Sequence, residues 1–106
     1  MKYIYSSDLK PYYNIIDIRD NESYKKMHIY NSINIPYINL INTPDKYLNK
    51  DDIYYIYCQR GNNSKKLCDI LSIFGFNVIN VIDGIEGFNK KWVFLKNLFF
   101  FVKNIL

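Results

Sequence analysis

Short apolar runs alternate along this chain with segments of helical period, and the alternation limits the possible folds more than any other feature. The runs are Tyr13–Ile18, Ser32–Ile35, Ile53–Tyr57 and Asn77–Ile82. They lack a polar face, as a strand covered on both sides requires, and so favour a parallel sheet over a half-exposed antiparallel one. Between them, Asn21–Met27 and Asn39–Leu48 are helix candidates, and Ser64–Phe74 is the strongest. In that last segment Leu67, Ile70, Leu71 and Phe74 fall at i, i+3, i+4 and i+7, which puts one apolar stripe against a sheet. Gly75 then supplies a stop. Strands alternating with helices predict an α/β domain of three layers, α/β/α, around a mostly parallel central sheet. In such sheets ligands bind beyond the carboxyl ends of the strands.

At 106 residues, 49% of them apolar and 18% aromatic, the chain has enough core-forming side chains for one domain. Pro11, Pro36 and Pro44 fall at predicted element boundaries, and no repeat or Pro/Gly/Ser-rich linker interrupts the pattern. The net charge of +4 is spread over dispersed pairs such as Lys25-Lys26, Lys65-Lys66 and Lys90-Lys91. A nucleic-acid footprint would be a concentrated patch, so no nucleic-acid partner is expected. Cys58 and Cys68 lack the paired short spacings of a zinc site, and His28 is the only histidine, which argues against a metal. Residues Met1 to Lys10 contain no apolar core of the kind a secretion signal needs, so the expected location is cytoplasmic, where a thiol stays reduced.

The segment from Ile53 to Ser64 carries the chemistry: a buried strand, a short polar loop opening with Cys58, then a helix for which Ser64 is the predicted N-cap. Gly61 and the neighbouring Asn62 and Asn63 tolerate left-handed backbone, so the loop can turn its N–H groups inward and cradle an anion. At the mouth of that cradle the helix N-terminus and Arg60 both favour a thiolate, which makes Cys58 the expected nucleophile. The bland alternative is a small apolar residue ending a strand. A polar loop and a helix start directly after it weigh against that reading for Cys58. Cys68, beside Leu67 inside the helix, is explained by burial.

The loop Cys58-Gln59-Arg60-Gly61-Asn62-Asn63-Ser64 resembles the active-site loop of rhodanese-like domains, commonly Cys-x-x-Gly-x-Arg-Ser. Two further segments agree. Asp17-Ile18-Arg19, followed by Glu22, Tyr24, His28-Ile29 and Ile33-Asn34-Ile35-Pro36, resembles the family's N-terminal signature, and Asp83-Gly84-Ile85-Glu86-Gly87-Phe88 resembles its C-terminal glycine turn. The resemblance implies a rhodanese-like domain over residues 1–92 and no cofactor. It also implies a sulfurtransferase in which Cys58 alternates between thiolate and persulfide. The partners implied are a small anionic sulfur donor such as thiosulfate and a thiol or cyanide acceptor. Gln59, Arg60, Gly61, Asn62, Asn63 and Ser64 would bind the substrate. Asp17 and Arg19 would support the framework, with Arg19 expected to pair with a carboxylate such as Glu22, and His28 is likewise expected in the framework.

The sequence departs from the family pattern at several points. Asn63 stands where an arginine is usual, which removes a charge from the rim and predicts modest affinity for a dianion. Ile85 stands at the usual second glycine, Glu22 comes one residue early with Ser23 in its place, and Met27 replaces a common glycine. Two other functions share this scaffold. A non-catalytic binding or regulatory module would find its support in Asn63 but would ordinarily lack the cysteine. A phosphatase or arsenate reductase would need a wider loop and, for phosphatases, an arginine where Ser64 stands.

After Trp92 the stretch Val93 to Leu106 is apolar apart from Lys96, Asn97, Lys103 and Asn104. As a helix it has one narrow polar stripe and more apolar face than one side of a sheet covers. It falls short of the roughly twenty apolar residues that span a bilayer. The expectation for residues 93–106 is self-association or partner docking, ahead of peripheral membrane contact.

Overall fold

The computed structural model describes residues 2–92, and residues 93–106, with the docking helix expected there, lie outside them. Five strands form one sheet: β1 (Tyr3–Ile4), β2 (Asn14–Asp17), β3 (Ile33–Asn34), β4 (Ile53–Tyr57) and β5 (Asn77–Val81), in the order β1-β5-β4-β2-β3. Every pairing is parallel. A parallel connection must return the chain from one end of the sheet to the other, and helices do this here. They are α1 (Asn21–Lys26), α2 (Tyr37–Asn42), α3 (Pro44–Tyr47), α4 (Asn62–Ile73) and α5 (Gly84–Trp92), with a 3-10 turn at Ser6–Asp8.

The period of two along β4 divides the interior. Ile56 and Cys58 face a cluster containing Ile16, Leu40, Leu67, Cys68, Leu71 and Val78, under α2 and α4. Tyr55 and Tyr57 face the opposite way, with Ile15, Ile29, Val81, Ile85 and Phe88, under α5. Helices on both faces of a parallel sheet give the predicted three-layer α/β arrangement. Among the described residues no helix is long and apolar enough to cross a membrane.

Three local expectations need correction. The helix predicted over Asn39–Leu48 is two helices, α2 and α3, separated at Thr43, whose φ of −138° and ψ of 62° leave the helical region. A residue preceding proline is sterically pushed out of the α conformation, and Pro44 follows directly. The apolar stripe on α4 is rotated: its buried residues are Ser64, Leu67, Cys68 and Leu71, and Phe74 is exposed. The helix ends at Ile73 and the chain reverses, with the Gly75 and Phe76 N–H groups donating to the Ser72 and Leu71 carbonyls. Phe76 thereby enters the core where Phe74 was expected. Finally, β1 has no counterpart among the predicted strands. Two residues are too few to carry a period, and Tyr3–Ile4 becomes a strand only because Asn80 and Val81 offer an open sheet edge.

Candidate active site

Strand β4 ends at Tyr57, which places Cys58 at the carboxyl edge of the sheet and on the face covered by α4. The chain must then turn sharply into the helix. Gly61 makes that turn at φ +95°, and a Cβ there would lie 2.0 Å from the Ile82 carbonyl oxygen. Only glycine fits so close to a neighbouring backbone. The loop is also pinned from the other side. At the start of α5 the Ile85 and Glu86 N–H groups donate to the carbonyls of Cys58 and Gln59, both at 3.0 Å. A Cβ on Gly84 would sit 2.4 Å from the Gln59 oxygen, so the C-terminal glycine turn and the cysteine loop are mutually fitted surfaces.

Ser64 does not cap the helix. Gly61 is the N-cap, and Ser64 lies inside the first turn, fully buried. The reason is that Gly61 already supplies the non-helical residue, so the cap falls three residues earlier than predicted and helical backbone begins at Asn62. First-turn N–H groups have no acceptor within their own helix. Here the Ser64 N–H points at Cys58 Sγ, 3.3 Å away, and the Gly61 N–H approaches the same sulfur at 3.2 Å. The Ser64 hydroxyl oxygen is a third neighbour at 3.3 Å.

Cys58 lines a cleft of about 310 Å³ together with Arg19, Asp20, Tyr37, Gln59 and Asn63. Arg19 is held in place by Asp17, not by Glu22 as expected. Its Nε donates to both Asp17 oxygens at 3.2 Å, and its Nη2 donates to Asp17 Oδ2 at 2.8 Å and to the Met27 carbonyl at 2.7 Å. Asp17 is fully buried at the end of β2, and a buried carboxylate needs a cation held this closely. Burial works against the Arg19 charge, but hydrogen bonding and charge from Asp17 outweigh it and hold the guanidinium above its ordinary value. The Ser23 N–H, which Asp20 accepts as the N-cap of α1, holds the exposed Asp20 carboxyl below its ordinary value.

Arg60 lies on the rim, exposed, with its Nε 3.0 Å from Glu86 Oε2. Gln59 links the two ion pairs: its Oε1 accepts from Arg19 Nη1 at 3.3 Å, and its Nε2 donates to Glu86 Oε2 at 3.3 Å. Of the residues singled out in the sequence, the structure gathers Cys58, Gln59, Asn63 and Arg19 around one cleft and seats Asp17 behind Arg19. Asn62 and Arg60 border its outer rim beside Cys58. His28 lies apart, stacked on Tyr24, with Nδ1 2.6 Å from the Tyr24 carbonyl.

Sequence reasoning passed over Glu86 as a partner for Arg60, and Asn80, which is buried on β5 beneath Ser64. Asn80 did leave a signal, since a lone amide inside an apolar strand run must find partners when buried. A depression of about 420 Å³ near Lys2, Gly75 and Asn77 is larger than the cleft but has no cysteine in its lining, and it lies at the amino end of β5. Among the described residues no cluster of three or more His, Cys, Asp or Glu side chains could hold a metal ion.

A parallel three-layer sheet domain with a cysteine loop at its carboxyl edge defines a class, and the comparisons agree with it. The pattern of the rhodanese-like domain matches residues 5–91, and the chain belongs to that family. A rhodanese-like domain protein from Staphylococcus aureus superposes with a TM-score of 0.72 at 31% identity, covering 82% of this chain and 90% of that one. A rhodanese-related protein from Thermoplasma volcanium gives 0.77 at 31% identity, covering 86% and 93%. A Bacillus subtilis relative, YrkF, which is named for a sulfur-carrier role, is 34% identical over 74% of this chain, which spans 42% of the relative's length. An adenylyltransferase and sulfurtransferase of Ogataea parapolymorpha is 31% identical over 81% of this chain, which spans 22% of that relative.

Proposed function

We propose that the chain is a sulfurtransferase that carries sulfane sulfur on Cys58. The observation that supports this best is the pair of backbone N–H groups aimed at Cys58 Sγ from the two ends of a tight turn, inside a polar cleft. Fixed dipoles of this kind hold negative charge on sulfur at no cost in reorganisation. In the first half-reaction the Cys58 thiolate attacks the outer sulfur of a donor such as thiosulfate. The S–S bond of the donor breaks, sulfite leaves with the bonding pair, and Cys58 becomes a persulfide whose terminal sulfur bears the charge. In the second half-reaction a thiol or cyanide attacks that terminal sulfur and the Cys58 thiolate returns. The names of the relatives, a sulfur carrier and a sulfurtransferase, support this chemistry.

Arg19, reaching the cleft beside Gln59, is the cation in position to orient an anionic donor. Arg60 is a second source of charge, because an exposed ion pair such as Arg60–Glu86 is worth little and yields readily to an arriving anion. With Asn63 at the rim and Arg19 already matched by Asp17, thiosulfate should bind weakly and serve as a usable probe rather than the preferred donor. A cytoplasmic location, which keeps the thiol reduced between turnovers, fits this cycle.

Mass spectrometry of the native protein after exposure to thiosulfate tests the proposal. The expected result is a gain of one sulfur that a reductant removes; no gain from thiosulfate or from any other sulfane compound overturns it. For residues 93–106 we propose association with a second copy of the chain. Light scattering should give a dimer for the full chain and a monomer for one ending at Trp92, and a monomer in both rejects the idea.

A further inference from the structure

Beneath the cysteine loop, three buried polar groups that the proposed chemistry does not use form a chain. Asn80 extends from β5 on the same face as Cys58, buried, and its Nδ2 donates to the Gly61 carbonyl at 3.2 Å. That carbonyl also accepts the Lys65 N–H at 3.2 Å, so it has need of donors only. Turning the amide over would set Asn80 Oδ1 against the Gly61 oxygen, two acceptors facing each other. The orientation of the amide is therefore decided by its surroundings, and Oδ1 faces Ser64 Oγ. An amide oxygen has no hydrogen to give, and a hydroxyl has one. The only proton of Ser64 therefore goes to Asn80.

This settles what Ser64 presents to the sulfur. At 3.3 Å from Cys58 Sγ, the Ser64 oxygen has lone pairs left and no proton. A thiol at position 58 can donate its S–H into them. A thiolate receives the N–H groups of Gly61 and Ser64 but faces a lone pair on its third side. A persulfide removes the conflict, because its inner sulfur is neutral and the charge sits on the outer atom.

We propose that Asn80 is a positioning residue that fixes the direction of the Ser64 hydroxyl, so that a lone pair and not a proton faces the Cys58 sulfur and works against part of the gain from the two N–H groups. A proton leaving Cys58 goes to solvent through the cleft, since Ser64 and Asn80 have no free acceptor chain to pass it on. The persulfide part of this inference rests on the proposed function, whereas the control of the thiol by Asn80 does not. Other titratable or charged groups around the sulfur are Arg19, Asp20 and Tyr37 across the cleft, Arg60 on the loop and the Cys68 thiol on α4. Asn80 makes its hydrogen bonds to Ser64 and Gly61 instead.

The test is the rate of Cys58 alkylation by iodoacetamide against pH, on the full chain without any sulfur donor. In Asn80→Leu the Ser64 proton is released from its acceptor and can turn toward the sulfur. A hydrogen bond to a charged atom gained in place of a facing lone pair should move the midpoint of the profile about one pH unit lower. Ser64→Ala removes the lone pair without adding a donor, so its profile should move the same way by less. In the Ser64→Ala background, Asn80→Leu should have no further effect, because the two act through one hydroxyl. An unchanged midpoint in Asn80→Leu, a move to higher pH, or an equal shift in the Ser64→Ala background overturns the proposal. If Asn80→Leu fails to fold, Ser64→Ala decides alone, and a midpoint that stays put or rises sinks the idea. Because alkylation is read without sulfur transfer, this outcome is separate from the test of persulfide formation.

Discussion

Cys58 and Cys68 are ten residues apart, both free, and both buried to nearly the same degree, at 5% and 0% exposure. They belong to the same apolar cluster. Burial therefore does not separate the candidate nucleophile from the structural residue. What differs is the company of each sulfur. Cys58 has two backbone N–H donors, a hydroxyl oxygen and one side open to a polar cleft. Cys68 lies on the buried face of α4 between the helix and the sheet, where burial first, and then the charges of Asp69 and Cys58, push its thiol up to about 12. Two cysteines of nearly equal exposure thus differ in the direction of the dipoles around them.

The largest effect that could break this contrast is at the sulfurs themselves. Cys58→Ser should abolish sulfur loading by thiosulfate in the mass-spectrometric assay, while Cys68→Ala should load as the parent does. Loading on Cys68, or loading that survives Cys58→Ser, would reverse the assignment. Next comes the turn that aims the dipoles. In Gly61→Ala the new Cβ meets the Ile82 carbonyl and the backbone is held at φ +95°, so the loop has to move. Denaturant unfolding should show a loss of roughly 2 kcal/mol or more, and Cys58 loading should fall with it. A variant as stable and as active as the parent would show that the turn is not under this constraint.

The smallest effect sharpens the other half of the comparison. An unfolded chain releases a cysteine proton near about pH 8.5, whereas folded Cys68 keeps it to about 12. Between those values the unfolded state binds fewer protons than the folded one, so Cys68 makes stability fall as pH rises through that window. Unfolding midpoints measured at pH 8 and pH 10 should differ less in Cys68→Ala than in the parent. An identical pH slope would mean that Cys68 ionises in the folded state as freely as in the unfolded one.

Much of this site is legible in the sequence. The strand–loop–helix around Cys58, the family resemblance and the contrast with Cys68 all follow from signals within a few residues of each other. Helix break and helix start were less legible for a local reason. Thr43 ahead of Pro44 was readable but overridden by the longer apolar pattern, and Ser64 looks like a cap because the sequence does not reveal that Gly61 is forced into that role by Ile82. The partners of Arg19 and Arg60 were harder still, since several carboxylates lie within reach of each in sequence and only packing selects Asp17 and Glu86.

By itself, then, the sequence determined the alternation of strand and helix, the parallel α/β class and the position of the candidate nucleophile, because these depend on period and on neighbours along the chain. The tertiary structure alone decided how the sulfur is surrounded. Asn80 meets Ser64 across 16 residues and Gly61 across 19, and Arg19 meets Gln59 across 40. Hydrogen bonds are directional and short-ranged, so which donor faces which acceptor exists only once the sheet has brought β2, β4 and β5 side by side.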